Sequence, residues 1–170
     1  MKKVFFLAAL LVCSIAAQAQ RFALVDMEYI LKQIPAYEQA NQQMESLSKQ
    51  WQSEVEAKAQ EAKTMYDEYQ KNASNLSATQ KTAQENAIIA KEKEAADLRK
   101  KYFGPEGEGM KKRQELITPI QDAIYNAIKD IATQKNYDAV IDRASAQSMI
   151  FASPRIDLSN EVLAKLGYSN

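Results

Sequence analysis

The chain has 170 residues, with 22 basic and 22 acidic side chains, one cysteine, one tryptophan and no histidine. So even a balance gives no electrostatic case for general nucleic-acid binding. The cysteine count excludes a disulfide-built domain, and without histidine only carboxylate, serine or lysine chemistry is available to an enzyme reading.

Taken in order, Lys2 and Lys3 precede an apolar run from Val4 to Ala17, and Ala17–Ala19 forms an A-x-A cleavage site. That is the layout of a secretory signal peptide over residues 1–19. The apolar run is too short for a permanent membrane anchor. Cys13 lies inside it and is expected to leave with the peptide, because Val12 stands where a lipoprotein acceptor needs a small residue. The expectation is export across a bacterial inner membrane to the periplasm. The mature chain, from about Gln20, loses Lys2 and Lys3, which leaves 20 basic against 22 acidic residues and a net charge of about −2. Its Ala, Glu, Gln and Lys content favours long helices.

Phe22, Leu24 and Val25 predict a short, mostly buried strand. A brief helix follows through Met27, Ile30, Leu31 and Ile34, with Pro35 expected to end it. From Ala36 to Phe103 there is neither glycine nor proline. Apolar residues there fall at Tyr37, Ala40, Met44, Leu47, Trp51, Val55, Ala59, Ala62, Tyr66, Tyr69, Ala73 and Leu76. Steps of three and four make a heptad seam with a stutter around Trp51–Ala59, a line narrow enough to want one partner helix. Met65 and Tyr66 cannot both face that seam squarely. Asn72, Ser74, Asn75, Ser77 and Thr79 dilute the pattern. They favour turns and caps, so a tip is expected near 75–79 with Ser77 capping a return helix. The return helix runs through Ala83, Ile88, Ala95, Leu98 and Tyr102.

Gly104, Pro105, Gly107 and Gly109 then arrive within six positions. A phosphate loop would need a strand before them, and Glu106 and Glu108 would repel an anion. The cluster predicts a break at 104–109 opposite Trp51. Two forms of it stay open: a hinge that lets the hairpin splay, or a static kink packed on Trp51. Ile117, Ile120, Ile124, Ile128 and Ile131 form a richer stripe that belongs in a packed body. "DAVID" and "SMIFA" read as two strands, and Ser159 as the cap of a last helix stopped by Gly167.

The expected organisation is therefore α+β: a body from residues 20–35 and 117–170, and a helical hairpin from 36–116. Asp26, Glu28, Asp138, Asp142 and Asp157 lie near strand ends, but no nucleophile motif accompanies them and no Asp-x-Asp calcium loop appears. Neither catalysis, a metal nor a cofactor is expected. Between Gln70 and Gln84 there is no acidic residue. Lys71 and Lys81 there form either a solvated turn or a mildly basic tip for anionic lipid or lipopolysaccharide.

Two stretches, "FALVDMEYILKQIPAY" and "QELITPIQDAIYNAIKDIATQKNYDAVIDRASAQSMIFASPRIDLSNEVLAKLG", together resemble the Skp/OmpH family of periplasmic chaperones. The resemblance implies a homotrimer, with a small β body for trimerisation and three hairpin tentacles around a cavity. It also implies an ATP-independent holdase that keeps unfolded outer-membrane proteins from aggregating. Dispersed client contacts are then expected on the hairpin's inner face at Met44, Leu47, Met65, Tyr66, Tyr69 and Leu76. The near-neutral charge departs from the basic family members and puts lipopolysaccharide contact in doubt. The alternatives are a coiled-coil structural or adaptor protein of the cell envelope, and an enzyme using strand-end carboxylates.

Overall fold

A computed structural model describes residues 21–146 and 148–168. The expected signal peptide lies outside the described residues. The chain divides into two compact units, Pro35–Gln121 and the described residues up to Ile34 together with those from Asp122 onward. The fold class is α+β, as the sequence indicates.

In the second of these units, strand β1 (Phe22–Val25) leads into helix α1 (Met27–Lys32). Asp26 caps α1, its side chain accepting a hydrogen bond from the Tyr29 backbone at 2.8 Å. That bond is the main reason its carboxyl is held below the ordinary range, with Arg143 assisting. β1 pairs in parallel with β2 (Ala139–Asp142), Phe22 opposite Ala139 and Val25 opposite Asp142. On its other edge Leu24 bridges Asp157, and the Leu158 backbone donates to the Leu24 carbonyl at 2.8 Å. β1 is thus the central element, which explains why Ala23, Leu24 and Val25 are all buried rather than alternating. Ile30, Ile34, Ile124, Ala127, Ile131, Leu158, Val162 and Leu163 complete the core. Arg143 reaches both Asp26 (3.0 Å) and Asp157 (3.3 Å), tying the ends of β1 and β2 to the last helix, α5 (Ser159–Lys165).

Three sequence expectations are corrected in this unit. Pro35 does not end the first helix, which stops at Lys32 with Gln33 as its C-cap; it opens the next one. Its missing N–H costs nothing at a first helical position. Ser159 is not the cap of α5 but its first residue. Its buried hydroxyl accepts from the Asp26 backbone at 2.8 Å and donates to Asp157 at 2.6 Å. "SMIFA" forms no strand: its Ile150 is fully exposed and Phe151 is 83% exposed, with no ladder beside them among the described residues. Gly167 does stop α5, at φ +85°, while the Tyr168 backbone donates to the Leu163 carbonyl.

The Pro35–Gln121 unit contains helix α2 (Pro35–Asn72), a 3₁₀ turn (Ala73–Asn75), helix α3 (Ala78–Phe103) and the first part of α4 (Glu108–Lys135). At 1.5 Å per residue α2 is about 57 Å long. The chain reverses at Leu76, which is extended, and Ser77 caps α3 in a reciprocal capping box with Gln80.

Candidate functional site

The hairpin is the candidate site, and its seam decides which side chains are free to meet anything else. α2 and α3 run antiparallel, as the pairs Trp51–Tyr102, Glu61–Lys91 and Tyr69–Glu85 show. Val55, Ala62, Ile88, Ala95 and Tyr102 are buried along the contact. Of the expected seam members Ala59, Tyr66 and Ala83 are exposed instead. Lys58 and Met65 stand half-buried in place of Ala59 and Tyr66. A lysine stem covers apolar surface while its ammonium stays wet, and here Lys58 reaches Glu61 at 2.9 Å. Read with Lys58 and Met65 in the line, α2 carries a single four-residue stutter at Trp51–Val55.

This sorts the candidate client residues. Met44, Leu47, Met65, Tyr69 and Leu76 are half-buried, and Met65 and Tyr69 of these lie beside α3 residues Gln84, Ala87 and Ile88. Tyr69 also donates its hydroxyl to Glu85, which pushes its ionisation up. Only Tyr66 stands well out, at 46% exposure. Three exposed apolar residues of this unit escaped the sequence reading: Ile89, Phe103 and Met110. The signal was present at Ile88–Ile89, since two adjacent isoleucines cannot share one narrow seam. At the tip Lys71 is exposed and Lys81 half-buried.

At the other end of the seam the break occupies the residues between Phe103 and Glu108. Trp51 stacks on Tyr102 with centroids 5.1 Å apart and planes 10° from parallel, and Phe103 meets both rings edge-on. The Tyr102 hydroxyl donates to Glu54 at 2.6 Å. That bond lowers the Glu54 carboxyl and raises the Tyr102 phenol. The glycines are there for close approach. A Cβ on Gly104 would lie 2.4 Å from the Lys100 carbonyl oxygen. On Gly107 it would lie 2.7 Å from that of Lys101, and on Gly109 2.9 Å from that of Tyr102. Pro105 sits exposed at the turn between them. These contacts describe a joint packed against Trp51.

Among the described residues no cluster of three or more acidic side chains is arranged to hold a metal, and no helix is long and apolar enough to cross a membrane. What the geometry offers is surface: a long two-helix arm, held by a thin seam, carrying isolated exposed apolar side chains.

A small mixed unit with a long helical hairpin defines the class of protein. The family described as outer membrane protein (OmpH-like) matches residues 21–166, and the chain belongs to it. The chaperone protein Skp of Yersinia enterocolitica is 28% identical over 158 residues, covering 92% of each chain. Skp of Photorhabdus laumondii is 30% identical over 130 residues, covering 76% of this chain and 77% of its own. Among solved structures, an OmpH-like outer membrane chaperone from Caulobacter crescentus aligns with a TM-score of 0.68 at 10% identity. It covers 89% of this chain and 86% of its own, and shares the fold. Both Skp relatives are named as chaperones, which gives the alternative of strand-end carboxylate catalysis no support.

Proposed function

We propose that this chain is a periplasmic, ATP-independent holdase that binds unfolded outer-membrane proteins and keeps them from aggregating. The observation that carries the reading is a hairpin, in a family of chaperones, that exposes Tyr66, Ile89 and Phe103 beyond what its own seam consumes. Isolated apolar side chains on a rod give weak, separate contacts. A client held by several of them keeps much of its freedom, so its entropy loss on capture is small. No nucleotide is needed for such reversible binding.

Light scattering tests this. A urea-unfolded outer-membrane β-barrel diluted into buffer should stay soluble with one functional assembly per client. An envelope adaptor with one fixed partner would leave the aggregation unchanged, and that result would sink the holdase reading.

We further propose a homotrimer. Support comes from the outer edge of β2, which pairs with no strand among the described residues, and from Ile150 and Phe151, which are exposed beside no partner. A second and third copy would supply what one chain lacks. Sedimentation equilibrium should give three chain masses at micromolar concentration; a stable monomer there refutes it. At the tip, Lys71 and Lys81 support no more than a weak contact with anionic lipid or lipopolysaccharide, lost at moderate salt.

A further inference from the structure

Arg21, just upstream of β1, is pinned through both its main chain and its side chain. Its backbone donates to the Asp138 carboxylate at 2.7 Å, and the Asp138 backbone donates back to the Arg21 carbonyl at 2.8 Å. Its guanidinium donates to the Lys135 carbonyl at 2.8 Å, in the last turn of α4, and lies 5.2 Å over the Tyr137 ring. A cation is favoured at a helix C-terminus, where the last carbonyls lack donors. The backbone pair with Asp138 does more: it fixes where the upstream chain joins β1.

It joins beside a bare apolar face. Side chains alternate along a strand, and register partners share a face. Phe22 and Leu24 therefore stand on one side of the sheet with their partners Ala139 and Ile141. Leu24 is buried, but Phe22 is 45% exposed, Ile141 is 41% exposed and Ala139 is exposed as well. Upstream of Arg21 come Gln20, Ala19 and Gln18, and then the apolar run Val4–Ala17. The steps from Arg21 back to Ala17 span at most about 14 Å. The near end of the run, from Leu11 to Ala17, carries no charge. In any chain that keeps it, this segment is tethered beside Phe22. So short a tether gives an effective concentration on the order of millimolar. Against sister copies at micromolar concentration that is a lead of about a thousandfold. Cleavage after Ala19 abolishes it.

Resting on the trimer reading and on the expected cleavage after Ala19, we propose that the chain's own Leu11–Ala17 segment docks on the Phe22–Ala139–Ile141 face and holds it until it is cut away. Processing then licenses assembly. The face becomes free for a second copy only in a chain that has lost its leader, and an unprocessed chain stays out of the trimer.

The test compares the full-length chain, refolded from urea with no signal peptidase present, with the mature chain beginning at Gln20. Sedimentation at micromolar concentration should give three chain masses for the mature chain and one for the full-length chain. Leu11→Asp with Ile15→Asp keeps the full length but makes the segment polar, and should restore three masses. A photo-crosslinker at position 15 should form its adduct within the same chain, on the peptide carrying Phe22 or the one carrying Ile141. If the full-length chain sediments as three masses like the mature one, the licensing proposal is wrong and the trimer stands. If Leu11→Asp/Ile15→Asp stays at one mass, added length alone blocks assembly and docking is refuted. Adducts between chains, or full-length assemblies larger than three, also overturn it. A mature chain that stays monomeric overturns both readings.

Discussion

Gly107→Ala tests whether the joint beside Trp51 is packed. The new methyl would sit 2.7 Å from the Lys101 carbonyl oxygen and 2.9 Å from that of Tyr102. Both are backbone atoms at the end of α3, so neither can swing aside as a side-chain tip would. Relief requires the α3 terminus and the following turn to separate by at least 0.3 Å, the gap between 2.7 Å and the 3.0 Å floor of real contacts. Overpacking of this kind costs about 1–3 kcal/mol. The alanine also narrows the unfolded ensemble, which offsets about 0.4–1 kcal/mol. The net expectation is a hairpin less stable by about 1–2 kcal/mol. The assay is built in, because Trp51 is the only tryptophan and stacks on Tyr102 at this level. A urea titration followed by its fluorescence should show a lower midpoint at unchanged slope. A midpoint equal to or above wild type would refute the close-approach account. The glycines would then serve flexibility, as a hinge requires.

Ser77→Ala removes one half of the capping box at the tip and should destabilise the hairpin by about 1 kcal/mol in the same titration. The Glu54–Tyr102 bond has a pH window. The Glu54 carboxyl is lowered from 4.5, so its contribution is complete above 4.5 and lost as pH falls through the lowered value; the Tyr102 phenol is raised from 10.0, so its contribution is complete below 10.0 and lost as pH rises through the raised value. Hairpin stability read through Trp51 should therefore decline at both extremes, and Tyr102→Phe, which keeps the ring stack, should lower it at neutral pH and flatten both declines. Ile124→Ala empties a fully buried site and should cost about 2–5 kcal/mol in circular-dichroism melts.

What could be read from the sequence depended on whether a signal was local. The Ile117–Ile131 stripe, the strand at Phe22–Val25, the Ser77 cap and the Gly167 stop are each fixed by residues within one or two turns. The seam was legible as a seam but not in its membership. An apolar-only tally passes over Lys58, whose stem does apolar work, and cannot choose between Met65 and Tyr66 one position apart. The exposure of the candidate client residues was hidden for the same reason. Met44, Leu47 and Met65 look available in the sequence and are half-buried, while Ile89 looks redundant and is exposed. The role of Ser159 depended on Asp26, more than a hundred residues away, and no local pattern announces that. "SMIFA" has strand composition, but composition does not supply a partner edge.

Phe22 and Ala139 are register partners separated by 117 residues. Closing so long a loop in a disordered chain costs about 4 kcal/mol in entropy. Folding the hairpin first draws the distant segments together, so the tip turn is the natural starting point and the parallel strand pair the last step. A chain that emerges amino terminus first therefore presents Ala23, Leu24 and Val25 to water long before β2 and Leu158 arrive to cover them. During that interval the strand is an apolar edge without either of its neighbours.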